Sequence, residues 1–179
     1  MEGVSKARVI RLVWAIVIVF GTVAFAAGQN RSAYTGLSEK NCDTVDSTDE
    51  EGGSYRGMCP GVGGYKLELL EGDLRQTINV ITPRGKKHEL KFWEIFGGFS
   101  SVGDKAEWRM NGKKPVALIV RFNVSDDPED SSKITSYLIV AKITASEICV
   151  TDALRPTRSH NAEARRAADR STEKKCRLE

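Results

Sequence analysis

The chain has 179 residues with 27 Lys and Arg against 24 Asp and Glu, a formal net charge of +3. Its first residues hold Lys6, Arg8, Arg11 and Glu2, and without them 24 basic face 23 acidic residues. A remainder this balanced excludes a global bias toward nucleic acid, and its length suits one domain that buries about two thirds of its unfolded surface.

Residues 1–26 read as a signal peptide. Lys6, Arg8 and Arg11 make a positive start, Leu12 to Val23 is apolar, and Ala24-Phe25-Ala26 offers small residues where a signal peptidase reads. The apolar stretch is shorter than the roughly 20 residues a spanning helix needs, so the expectation is cleavage and a periplasmic or secreted product. A membrane contact is expected only through this segment, if it is retained. All four cysteines, Cys42, Cys59, Cys149 and Cys176, follow it. An even number in an oxidising compartment implies two disulfides. Three pairings exist, and Cys42–Cys59 with Cys149–Cys176 is favoured because each closes a local loop. Metal-ligand spacing is absent, and no cofactor is expected.

Residues 27–53 form a polar segment read as irregular, its acids at 43, 46, 49, 50 and 51 lacking the alternation and internal glycine of a calcium loop. From Ser54 to Glu179 a single β-rich domain is expected. Ser54 to Cys59 is a short strand stopped by Pro60-Gly-Val-Gly-Gly64. No Gly-Lys-Ser/Thr follows this glycine cluster, and the next residues alternate as a strand, so it is not a phosphate loop. Tyr65 to Glu71 and Arg75 to Ile81 alternate across the turn Gly72-Asp73 and predict a hairpin.

Phe92, Trp93, Phe96 and Phe99 fall within eight residues. They read either as one end of a β core or as an exposed partner surface. Lys105 to Met110 is a further strand, and Asn111-Gly112 is the strongest two-residue hairpin signal in the chain. Pro115 to Val124 and Ile134 to Ile143 are the most apolar segments after the N-terminus. The second is apolar on both faces, which belongs in the middle of a sheet or a closed barrel. Between them Asp126, Asp127 and Asp130 lie in a polar acidic loop, the second part of the candidate partner surface.

Glu147 to Thr151 predicts a last strand. The composition then becomes helix-forming over 161–172, with Ala164, Ala167 and Ala168 as a small face for close packing and Arg165, Arg166 and Arg170 on the polar side. The fold class is therefore α+β, mainly β: an antiparallel meander or partly closed barrel of seven or eight strands with a C-terminal helix.

No catalytic motif emerges. His88 and His160 stand alone, and neither a nucleophile elbow nor a zinc-binding helix is present. Glu68, Glu71, Asp73, Glu94 and Glu107 would make a glycan hydrolase only if they converged in space. The expectation is a non-catalytic binding or envelope-associated protein, its partner a protein or a cell-wall glycan.

Two likenesses bear on this. The run Cys59-Pro-Gly, Gly64-Tyr-Lys-Leu, Glu71-Gly-Asp-Leu-Arg75, then Phe99-Ser-Ser-Val-Gly, Ala106-Glu-Trp-Arg109 and Ser136-Tyr-Leu-Ile-Val-Ala-Lys142 resembles a family of small uncharacterised exported proteins of alphaproteobacteria. That resemblance implies an exported bacterial protein and no activity. A looser likeness is to periplasmic inhibitors of invertebrate-type lysozyme, carried by Glu71-Gly72-Asp73, Ala117-Leu-Ile-Val-Arg121 and Ser136-Tyr137-Leu138. It implies a disulfide-bearing β-sheet inhibitor. The chain departs from that pattern in the loop Ser125 to Lys133, which is acidic and holds no glycine.

Overall fold

Alternating apolar residues build most of this molecule, seen in a computed structural model that describes residues 30–49, 53–125, 127, 129–130 and 132–178. The expected signal peptide and Asp126 lie outside the described residues. The strands are β1 (Arg31–Gly36), β2 (Asp43–Thr48), β3 (Ser54–Pro60), β4 (Lys66–Gly72) and β5 (Arg75–Ile81), then β6 (Lys87–Glu89) and, after a short helix α1 (Phe92–Ile95), β7 (Ser100–Asn111). They continue as β8 (Lys114–Ser125), β9 (Ile134–Ile143) and β10 (Ile148–Leu154), followed by α2 (His160–Asp169).

All ten join one open sheet in the order β10-β9-β8-β7-β5-β4-β3-β2, with β1 on β7 and β6 on β5. The α+β, mainly β class holds, with ten strands rather than seven or eight, and of the two forms expected, a sheet or a partly closed barrel, the sheet is the one found. The additional strands are β1 and β2, from the segment read as irregular, and the three-residue β6. Polar composition concealed β2 because it is an edge strand exposed along its whole length, where apolar alternation is not required. The meander is also interrupted. A single parallel pair, Arg75 with Ser100, links β5 to β7, and β1 occupies the rest of that edge of β7 from Arg31–Met110 to Gly36–Lys105.

The narrow link lets the two halves of the sheet share a core. Leu67, Leu69, Ile78 and Val80 from β4 and β5 belong to the same buried cluster as Trp108, Leu118, Val120, Phe122 and Ile139 from β7, β8 and β9. Trp108 is fully buried, and its indole Nε1 donates to Thr35 Oγ1 at 2.9 Å. On the opposite face of β8 and β9, Ala117, Ile119, Leu138 and Val140 pack against Ala164, Ala167 and Ala168 of α2. Small side chains permit that close approach, which is why β9 is apolar on both faces. The helix ends at Asp169, earlier than expected, and a 3-10 turn Ser171–Glu173 follows.

Two disulfides close the fold, Cys42–Cys59 and Cys149–Cys176, and no described cysteine is free. The second pins the C-terminal tail to β10, where Arg177 N–H also donates to the Val150 carbonyl at 2.7 Å. That bond covers part of an otherwise open sheet edge. The disulfides fit an oxidising, extracellular-type environment. Among the described residues no helix is long and apolar enough to cross a membrane.

Candidate binding interface

One end of the sheet gathers the residues that a partner would meet. Strand direction explains why: β5, β7 and β9 begin there, while β4 and β8 finish there. The pairs Arg75–Ser100, Ser100–Val124 and Val124–Thr135 form one row across four strands. Just beyond this row the Leu74 carbonyl accepts from Ser100 N–H at 3.0 Å, the Phe99 carbonyl accepts from Ser125 N–H at 2.9 Å, and Ser125 pairs with Ile134. Leu74, Phe99 and Ile134 are 57%, 49% and 55% exposed. With strands about 4.8 Å apart, three large apolar side chains from separate strand ends fall within a few strand spacings of one another.

The hairpin that carries Leu74 is strained. Gly72 pairs with Arg75, so Asp73 and Leu74 form a two-residue turn, with φ of 53° and 57°. Such a turn requires two left-handed residues, which Asn-Gly supplies at low cost and leucine does not. The strain falls on a leucine that the solvent leaves uncovered.

The acidic loop closes the same end. Asp127 Oδ1 accepts from Glu129 N–H and Asp130 Oδ1 from Ser132 N–H, both turns of the loop on itself, and Lys133 Nζ reaches Asp127 Oδ2 at 2.7 Å. Hydrogen bonding to Lys133 leads the effects that hold the Asp127 carboxyl below its ordinary range, and the Ser132 hydroxyl does the same for Asp130. Both stay ionised well into mild acid.

The aromatic segment divides between core and surface. Phe92 is fully buried, 4.9 Å from the Phe122 ring, and Phe96 is half-buried with its ring 4.5 Å from Tyr137. These two close the core beneath the interface and leave the candidate surface; Trp93, 41% exposed, stays on it. Phe92 N–H donates to Thr77 Oγ1, which fixes α1 against β5. Aromatic density in the sequence could not separate the three. Leu74 and Ile134 were missed as surface residues, and the signal available was their position beside turn and loop residues rather than their chemistry.

A second feature lies on the α2 face. β7 bulges between Val102–Phe122 and Ala106–Val120, so that 103–105 stand opposite Arg121 alone. A Cβ on Gly103 would sit 2.8 Å from Arg121 Cβ, which requires glycine at the bulge. The bulge and the start of α2 border a cavity of about 370 Å³ with an apolar floor of Ile119, Leu138 and Ala164 and a rim including Asp104, Glu107 and Arg121. Glu107 is engaged there. Burial alone would raise its pKa, but hydrogen bonds from Arg165 and Ser32 outweigh that and lower it. Arg165 Nε lies 2.6 Å from Glu107 Oε1.

The five carboxylates that a glycan hydrolase would need to bring together are each engaged, on β4, the turn after it, α1 and β7. Buried Glu68 accepts from Asn79 and pairs with exposed Lys87, Glu71 accepts from Gln76, Asp73 pairs with Arg75, Glu94 with Lys91 and Glu107 with Arg165. His88 is held below the ordinary histidine range by burial and by Lys86, and His160 Nε2 bonds the Leu154 carbonyl at 3.0 Å. Compared with family models, curated proteins and solved structures, the chain matches none.

Proposed function

We propose that this protein is a non-catalytic binding protein of an extracytoplasmic compartment, and that it engages a protein partner through the Leu74, Phe99 and Ile134 end of its sheet. The observation that carries this reading is the row of three exposed apolar side chains beside an acidic loop, one of them held on a strained turn. Apolar centres rimmed by charge are the usual build of a protein interface. The charge points to a partner with a basic rim. The engaged carboxylates support a role without chemistry, and the two disulfides support a life outside the reducing cytoplasm.

The elements that carry the likeness to lysozyme inhibitors lend the reading a specific form. Gly72-Asp73 and Ser136 come to this same end of the sheet, although Tyr137 is buried. The test is capture from an envelope extract by the wild-type protein and by the L74D/F99D/I134D variant, paired with a lysis assay against invertebrate-type lysozyme. A discrete partner retained by wild type, released by salt and not held by the variant is the expected result. Equal capture by both proteins, or turnover of cell-wall substrate by the wild type, would overturn the proposal. Slowed lysis that the variant does not produce would identify the partner class.

A further inference from the structure

The opposite end of the sheet carries a different chemistry. Three turns meet there: 61–65 before β4, 82–86 after β5, and Gly112-Lys113 between β7 and β8. A Cβ on Gly63 would lie 3.5 Å from Pro115 Cδ and 3.7 Å from the Lys113 carbonyl, and one on Gly64 would lie 3.3 Å from Pro83 Cβ, so the turns touch. The chain enters at the same place, with Arg31 Nη2 donating to the Gly112 carbonyl at 3.3 Å. Arg31, Lys66, Arg84, Lys86, Lys113 and Lys114 are all exposed on this end. No Asp or Glu occurs in 61–66, 82–88 or 111–115. Among the described residues no carboxylate pairs with any of the six. Of the carboxylates bordering this end, Glu147 is taken by buried Lys142, Asp169 by buried Arg109 and Glu68 by Lys87; Glu173 lies beside Lys142 and Lys174, and Asp43 stands aside on edge strand β2.

Near-zero overall charge therefore hides a segregated distribution. Six cations from distant parts of the sequence converge because five strands, β1, β4, β5, β7 and β8, begin or end together, not because the chain has a basic run. Asn30, where the described chain starts at this end, follows the apolar run Leu12 to Val23 by seven residues. The chain that joins that run to the domain therefore enters at the basic end.

We propose that this basic end docks on anionic lipid headgroups, setting the sheet end-on against the membrane with the apolar, acidic end turned away. Lysines and arginines near an anionic surface contribute about fivefold each to binding and lose that contribution in salt. The proposal is independent of the partner interface, since the two share no residue.

The test uses the protein as its host cell produces it, with the N-terminus determined, so that any retained apolar segment is common to every variant. Cosedimentation is measured with vesicles of phosphatidylcholine alone and of phosphatidylcholine with phosphatidylglycerol. The wild type is compared with K66Q/R84Q/K113Q/K114Q and with K91Q/K105Q, whose lysines lie elsewhere. The exposed positions of the fourfold variant, in turns or at the first residue of a strand, contribute little to folding, and a thermal melt checks that. The expected result is binding that needs phosphatidylglycerol and weakens with salt. It should fall on the order of several hundred-fold in the fourfold variant and stay unchanged in the double variant. Equal binding to both vesicle types, or an unaffected fourfold variant, would overturn the proposal. So would a soluble polyanion such as heparin that binds as tightly as the vesicles at equal charge, because the partner would then be a polyelectrolyte rather than a membrane.

Discussion

Asp169→Asn isolates one charge that the fold cannot leave alone. Arg109 on β7 is almost fully buried. Its Nε and Nη2 each donate to an Asp169 oxygen at 2.8 Å, its Nη1 donates to Ser32 Oγ and its Nη2 also to the Asn30 carbonyl. One guanidinium thus bonds both strand β1 and the end of α2 to β7, in addition to the β1–β7 ladder and the Arg165–Glu107 pair. An asparagine presents one oxygen and one NH₂ where two oxygens stood, so a donor faces a donor. Breaking a buried pair by removing one partner costs about 3–5 kcal/mol. Asp169 is part-exposed and Glu107 lies 3.8 Å from Arg109, which compensates some of the charge. We expect about 2–3 kcal/mol, a fall in Tm of about 5–12 °C for a domain of this size. Urea unfolding supplies the free energy, and amide exchange supplies a site-specific readout, because β1 should lose protection before β8. Replacing the pair together, R109M/D169L, should recover most of the loss, since an apolar pair leaves no charge to solvate. A D169N variant within about 0.5 kcal/mol of wild type, with β1 protection unchanged, would refute the reasoning.

Three further outcomes follow from the geometry. D73N/L74G should stabilise the hairpin by about 1 kcal/mol, read as a higher urea midpoint, because Asn-Gly adopts left-handed backbone without strain; the same change should weaken partner capture. Gly98→Ala places a Cβ 1.9 Å from the Ser125 carbonyl and should cost more than about 2 kcal/mol, the backbone having nowhere to move. Stability should also fall in acid. Burial raises the pKa of Glu68, Glu107 and Asp169, yet their hydrogen bonds and cations outweigh it, so all three lie below their ordinary values when folded. The stability this supplies is complete above the unfolded values near 4 to 4.5 and is lost as pH falls through the folded ones, which a series of melts across that window would trace.

The central strands were legible because burial leaves its mark in alternation. Val116 to Val124 and Tyr137 to Ile143 announce themselves by apolar faces, and Ala164, Ala167 and Ala168 announce a helix that packs closely. The disulfide pairs were legible for a related reason, since short loops constrain which cysteines can meet. The open sheet was not. β1 lies on β7 through a six-residue ladder supported by polar bonds from Arg109 and Trp108, and hydrophobic pattern carries no sign of that. The edge strand β2 escaped notice because solvent covers it. Within the aromatic segment the sequence did not separate the fates: Phe92 is fully buried, Phe96 packs half-buried against the core, and Trp93 is exposed. Leu74 and Ile134 belong to the interface through strand order, which no local window contains.

Strand order also governs how charge is arranged. Each of β4, β5, β7, β8 and β9 runs between the two ends, and β8, with 12 residues, spans about 40 Å. The turns at one end are Gly-, Pro- and Lys-rich; those at the other carry Asp, Glu and exposed apolar residues. Sequence neighbours alternate between the ends every seven to twelve residues, so a running charge average cancels while the folded molecule is polarised. Such a molecule has an orientation built in. Near a negatively charged surface the field turns its basic end inward, and the apolar row is then the part that reaches furthest into the medium. If the two variants that neutralise the basic end and the partner end behave independently in binding, yet only the basic-end variant changes the orientation of the domain on vesicles, the two sites are joined by nothing more than the length of the sheet. Orientation is read in a W14F/W108F background, where Trp93 on α1 is the remaining tryptophan and should stay unquenched by lipid-borne quenchers when the basic end is intact.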